Sequence, residues 1–286
     1  MTIAPPRPAL RYHGAKFRLA SWILQFFPAH TVYTESFGGA AGVLLHKARA
    51  HGEVYNDLDG DVVNFFTIIR DPATRAQLIE ACRLTPYARA EFEQAWLPST
   101  DPLERARRLA IRAQMGFGSA GASKGSTGLR TDLKRRFTTA QQDWATYPTA
   151  IAYAGERFSG VLIENRPAIE VLQQHDEPTA LHFVDPPYVF KTRVIRGKGN
   201  YRHELTDDGH AELLTALTGL AGMVVLCGYP NEIYDDLLKG WATHSTKARI
   251  SAGRGTALRT EMVWINPACS EALHRAHGGL FGGMAA

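Results

Sequence analysis

Thr31-Val32-Tyr33-Thr34-Glu35-Ser36-Phe37-Gly38-Gly39-Ala40-Ala41-Gly42 joins a β-branched run to a glycine-rich corner. The first four residues read as a buried strand. The glycines allow a sharp reversal, which serves either close approach of backbone amides to a ligand or tight packing of helix on strand. Val43, Leu44, Leu45 and Lys47 read as the start of a helix, and Glu53-Val54-Tyr55 as a second strand ending at Asn56-Asp57. Residues 60–70 read as a helix with Val62, Val63, Phe66 and Ile69 on one side. Strand, glycine turn, helix, strand is the opening of a doubly wound α/β sheet.

The same grammar returns after residue 150. Val161-Leu162-Ile163-Glu164, Leu181-His182-Phe183-Val184 and Met223-Val224-Val225-Leu226 read as strands, with short helices at residues 168–172 and 232–238. Thr206 is a good N-cap for a helix carrying Leu213, Leu214, Leu217 and Leu220. Residues 241–250 and 258–265 suit a hairpin across Gly253-Arg254-Gly255, and the Gly/Ala-rich stretch after Pro267 reads as a fraying tail. Between the two α/β parts, residues 72–82, 86–96 and 102–115 read as helices, each opened by a proline. A Gly/Ser-rich loop at residues 116–128 follows. The expected organisation is a catalytic α/β domain from residues 1–70 and 151–270, an inserted helical domain at 71–150 and a tail at 271–286. The fold expected is a Rossmann-like, mostly parallel sheet with an antiparallel C-terminal hairpin.

Net charge is only +4 over 286 residues, but the positive charge is concentrated. Residues 101–137 hold nine Lys/Arg against three acids, and residues 186–203 hold five basic residues and no acid. A nucleic-acid partner is one reading; a solvated helix face is the other for Arg105, Arg107, Arg108 and Arg112. In residues 186–203, Tyr188, Phe190 and Tyr201 interleave with the cations, a pattern suited to phosphate contacts plus base stacking. No apolar run approaches the roughly 20 residues of a membrane span. The proline-rich N-terminus carries no apolar signal core, and Cys82, Cys227 and Cys269 form no paired framework, so a cytoplasmic protein is expected. No histidine cluster has metal-ligand spacing, and HExxH does not occur.

Two places carry chemistry. Asp57 lies 19 positions after Gly38, at the end of the second strand, where a carboxylate in nucleotide-type sites accepts hydrogen bonds from a ribose diol. Asp185-Pro186-Pro187-Tyr188 follows an apolar strand and so lies at a carboxyl edge, where open α/β sheets bind ligands. Two prolines stiffen this corner, so that the Asp185 carboxylate and the Pro186 carbonyl can face one amine while the aromatic ring stacks on a flat base.

With these motifs quoted, the chain resembles the Dam-type adenine DNA methyltransferases, phage and prophage members especially, from about Leu10 to Pro267. Tyr12-His13-Gly14-Ala15-Lys16 is similar to the family's N-terminal aromatic–Gly–Lys motif, which implies that Tyr12 and Lys16 help bind S-adenosylmethionine. Residues 35–42 resemble the first cofactor motif, implying Glu35, Phe37, Gly38 and Gly39, and Asn56-Asp57 resembles the second. Glu164 and Asn165 fall where relatives place a group near the cofactor's adenine, with Pro167 standing at the place of an aspartate. Asp185-Pro186-Pro187-Tyr188 matches the catalytic motif, with Asp185 also near the cofactor. The insertion corresponds to the family's target-recognition region, implying DNA contacts from Lys124, Arg130, Lys134, Arg135 and Arg136, with Lys191, Arg193 and Lys198 beyond the catalytic turn. The resemblance implies methyl transfer to the adenine N6 amine of double-stranded DNA, with a cognate restriction endonuclease as a candidate partner. Cytosine N4, an RNA adenine or a protein glutamine amide are alternative acceptors, and a catalytically silent DNA-binding protein on the same scaffold is a rival of another class.

Overall fold

The structure is a computed structural model that describes residues 7–119, 121–122, 127–134, 138–192, 201–252 and 255–278. Short 3-10 turns at Lys16–Arg18 and Leu24–Phe26 flank α1 (Ala20–Ile23), and β1 (Val32–Glu35) follows. The chain continues through β2 (Gly52–Asn56), α2 (Gly60–Arg70), α3 (Pro72–Leu84), α4 (Arg89–Gln94), α5 (Pro102–Met115), α6 (Ala140–Ala145) and α7 (Tyr147–Phe158). It then runs β3 (Leu162–Glu164), α8 (Ala168–Gln174), β4 (Ala180–Val184), α9 (Asp207–Thr218), β5 (Met223–Gly228), α10 (Glu232–Leu237), β6 (Ala242–Ala252), β7 (Gly255–Ile265) and α11 (Pro267–Gly278).

The described strands form one sheet in the order β3-β2-β1-β4-β5-β7-β6. The first five are parallel, and β7 runs antiparallel to both β5 and β6. This is the mixed, Rossmann-like α/β sheet expected. Strand order reverses between β1 and β4, which pair from Val32↔Ala180 to Glu35↔Phe183. The carboxyl ends of these two strands therefore form the switch-point crevice of the sheet. Glu35 closes one strand and Asp185 follows the other.

Strand alternation divides the core. Tyr33, Leu181, Phe183 and Val225 pack in one cluster with α2, α5 and α7 residues such as Phe66, Leu109 and Phe158. Val184, Val224, Leu226 and Trp264 pack on the other side with Leu213, Leu214 and Leu217 of α9. Each such side chain contributes about 1.5–3 kcal/mol by leaving water. Helix starts follow from short-range chemistry. The Asp71 carboxylate accepts from the Ala73 and Thr74 amides, the Asp101 carboxylate from Leu103 and Glu104, and each helix has a proline in its first turn. Thr206 caps α9 by accepting from the Gly209 amide at 3.1 Å.

Four local expectations are corrected. No helix forms after the glycine corner: residues 39–46 are turns, Ala41 sits at φ +54°, and the Leu44 amide donates to the Glu35 carboxylate rather than to a carbonyl one turn back. Pro86 opens no helix, and α4 begins at Arg89. The Gly116↔Leu129 bridge places a strand-like contact in the inserted stretch. The stretch after Pro267 is helical through Gly278, docked by the fully buried Cys269. The inserted helices also share the main core cluster with the sheet, through Leu78, Leu109 and Trp144.

At the opposite end of β2, Glu53 accepts from Lys47 Nζ at 2.8 Å and from Arg157 Nη1 at 2.6 Å, with all three residues buried. This triad pins α7 to the sheet. Glu53→Ala leaves two buried cations without their anion, and urea denaturation should read a loss of about 3–5 kcal/mol in unfolding free energy.

Candidate active site

The N-terminal segment lies directly on the glycine corner, and the glycines make that approach possible. A side chain at Gly42 would meet the Phe17 amide nitrogen at 2.8 Å. Gly39 holds φ +47°, and a Cβ there would sit 3.1 Å from the Tyr12 ring. A Cβ at Gly38 would strike the Tyr55 ring, whose hydroxyl donates to the Gly39 carbonyl at 2.6 Å. In this structure the corner's glycines admit Tyr12, Lys16 and Tyr55, so close packing accounts for them.

Two carboxylates gather around the corner. Glu35 accepts from the Tyr33 hydroxyl at 2.7 Å and the Leu44 amide at 2.8 Å, and burial pushes its pKa up to about 8. Asp57 accepts from the Gly39 amide at 2.7 Å and the Asp59 amide at 2.8 Å, and burial outweighs these bonds to raise it to about 6. The buried Asn56 amide ties three strand ends together: it donates to the Ser36 and Arg166 carbonyls and accepts from the Arg166 amide.

Across the crevice stands Asp185. Lys16 Nζ lies 2.8 Å and 2.9 Å from its two carboxylate oxygens and also donates to the Gly14 carbonyl at 2.9 Å. Burial disfavours the ammonium, but Asp185, with Glu261 behind it, outweighs burial and holds the Lys16 pKa above the ordinary lysine value. Burial likewise lifts Asp185 above the usual carboxylate range, against the pull of Lys16. The Lys16 ammonium is 4.7 Å from the centre of the Tyr188 ring, which meets Tyr229 edge-on at 4.5 Å. The Tyr188 hydroxyl donates to Glu261 at 2.8 Å.

Tyr12, Lys16, Glu35, Phe37, Gly38, Gly39, Asp57, Asp185 and Pro187 line a single cavity. Its free interior is about 100 Å³, and the cleft with its mouth about 860 Å³. Glu164 and Asn165 do not line it. Glu164 pairs with Arg166 at 3.3 Å, and Asn165 donates to the Asp57 carbonyl at 2.7 Å, bracing Asp57 from behind. Residues that the sequence did not assign to the cavity also line it, among them Ala168, Asp59 and the run Tyr201-Arg202-His203-Glu204-Leu205. Arg202 holds that run down by pairing with Asp59 at 3.1 Å and Asp61 at 2.9 Å. Counted by charge alone, Arg202 read as a phosphate contact; only the acids at 59 and 61, at the start of α2, hinted otherwise.

Residues 12–112 match the family model of the D12 class N6 adenine-specific DNA methyltransferases. The match covers about a third of the chain, and over that stretch the chain is similar to those enzymes. The matched stretch takes in Tyr12, Lys16, the glycine corner and Asp57, and ends on α5 before the Asp185 turn. No curated protein matches the chain significantly.

The basic residues divide sharply. On α5, Arg105 and Arg112 pair with Asp61, Arg107 with Glu91 and Glu104, and Arg108 with Glu104, so this helix spends its charge inside the protein. Arg130 is corrected as a DNA contact: it is buried, donates to the Gln114 carbonyl at 3.0 Å and lies 3.5 Å from Asp143. Lys134 is exposed, and the Lys191 side chain is 87% exposed with Asp207 at 3.9 Å. Lys124, Arg135, Arg136, Arg193 and Lys198 lie outside the described residues. Among the described residues no helix is long and apolar enough to cross a membrane.

Lys16→Met should leave the Asp185 carboxylate buried without its cation. The melting temperature should fall, equivalent to about 3–5 kcal/mol. A raised carboxyl pKa means the deficit is largest at alkaline pH and shrinks as acid protonates Asp185. A pH-independent deficit would mean that the pair does not hold the fold as described.

Proposed function

We propose that the protein transfers a methyl group from S-adenosylmethionine to the N6 amine of a flipped-out adenine at specific sites in double-stranded DNA. One observation carries the reading: the Asp57 carboxylate and the Asp185-Pro187 corner open into the same cavity at the switch point of the sheet. The donor set fits S-adenosylmethionine. Ser36 Oγ and Asp59 Oδ2 are buried polar atoms of cavity-lining residues with no hydrogen-bond partner among the described residues, and both suit the hydroxyl and amino groups of such a ligand. Tyr12 and Phe37 offer apolar faces to a purine, and Asp57 retains acceptor capacity for a ribose diol.

When bound, S-adenosylmethionine supplies a methyl group activated by its sulfonium. The protein's part is positioning. The Asp185 carboxylate and the Pro186 carbonyl accept from the two hydrogens of the adenine amine, drawing the nitrogen lone pair out of conjugation with the ring. Lys16 keeps Asp185 ionised and fixed in direction. Tyr188 steadies the base by its face. Holding both reactants in one orientation accounts for much of the rate expected. Residues 71–150 serve as the target-recognition insertion, with Lys134 on its exposed surface and Lys191 beyond the catalytic turn as backbone-phosphate contacts.

Asp185→Ala should abolish methyl transfer to DNA while leaving DNA affinity within about threefold, since phosphate contacts dominate affinity; turnover at the wild-type rate would refute the assignment. Mapping modified bases in DNA from a methylation-free host expressing the protein tests the acceptor, and N4-methylcytosine as product would overturn adenine. Asp57, with its pKa raised to about 6, must be ionised to accept both hydrogen bonds. Calorimetric affinity for S-adenosylmethionine should therefore fall as pH drops through about 6, and Asp57→Asn should remove that dependence.

A further inference from the structure

We infer that Glu261 is a positioning residue for the catalytic turn: by accepting the Tyr188 hydroxyl it fixes the plane in which that ring meets the target base. The inference rests on the functional reading above and names a residue that reading does not use. Register delivers Glu261 to the site. Met262 of β7 pairs with Gly228, the last residue of β5, so Glu261 is the first β7 residue beyond the carboxyl end of β5. Alternation puts it on the same face as Val263 and Ile265, which pack in the cluster that contains Phe183 and Val225. Asp185, two residues past Phe183, points to that same face.

Glu261 is 6% exposed. A carboxylate so buried is retained only where hydrogen bonds and charges compensate its desolvation. It accepts from the Tyr188 hydroxyl at 2.8 Å, and the Tyr229 hydroxyl reaches the same carboxylate. Tyr188 is thus gripped three ways: at its hydroxyl by Glu261, at its edge by Tyr229 and over its face by the Lys16 ammonium. A ring anchored only at its Cα end swings about two torsions. Anchoring its far end as well removes that freedom before substrate arrives, so less ordering remains for the reactive complex.

Tests use the full-length chain, with methyl transfer from radiolabelled S-adenosylmethionine to unmethylated genomic DNA and the Tyr188 resonance of 3-fluorotyrosine-labelled protein. Glu261→Ala should lower kcat at least about tenfold, leave the calorimetric affinity for S-adenosylmethionine within about twofold, and split or broaden that resonance. Glu261→Gln, whose amide oxygen still accepts from a phenol, should restore kcat to within about threefold and keep one narrow resonance. Tyr188→Phe should match Glu261→Ala, and the double variant should be no worse than either. Multiplied losses, or Glu261→Gln as impaired as Glu261→Ala, would mean that Glu261 acts as a counter-charge to Lys16 and would overturn the inference. Wild-type kcat in Glu261→Ala would do the same. A wild-type protein that methylates no adenine would sink the functional reading instead, and the resonance would still decide whether Glu261 anchors the ring.

Discussion

A lysine ammonium held between the Gly14 carbonyl and the Asp185 carboxylate joins the first turn of the chain to the end of β4. Removing two such charges from water costs several kcal/mol each, and only close, well-directed contacts offset that. The pair therefore fixes geometry more than it adds stability. Tyr12 rests on Gly39 and the backbone of Lys16 and Phe17 on Gly42, so the wall of the cavity, the glycine corner and the double-proline turn share one set of constraints.

Around that pair the protein uses its ionic groups as struts. Asp61 is shared by Arg105 and Arg112 of α5 and by Arg202 of the run that covers the cavity. One acid at the start of α2 therefore links the inserted helices, the sheet and the cover. Isolated exposed pairs of this kind contribute about 0–1 kcal/mol. Here the partners are half-buried and joined in a network, which orients the inserted region against the α/β core.

Where pattern and structure agree, the physics is short-range. The apolar runs of β1, β4 and β5, the Asp-Pro starts of α3 and α5 and the Thr206 cap follow from alternation and first-turn chemistry, and so were readable from residues alone. So was the placement of Asp57 and Asp185 at strand ends. The rest depends on partners distant in sequence. Leu44 is kept out of a helix by a carboxylate on β1, and Arg130 is buried by Gln114 and Asp143. Glu261 meets Tyr188 across 73 residues. The amphipathic signal of α11 was masked by its small residues, yet Cys269 is fully buried in the core and Ala268, Ala272 and Leu273 pack against it.

Lys16 and Asp185 stand 169 positions apart. At the usual pace of translation of 5–20 residues per second, the ribosome releases the lysine on the order of 10–30 s before its carboxylate emerges. Throughout that interval the Lys16 ammonium lacks its carboxylate, although the glycine corner on which its segment packs is already made. The third strand of the sheet is in the same position, because β1 waits for β4 on one of its two edges. Such late, non-local closure marks a chain whose central edge stays open to wrong pairing during synthesis.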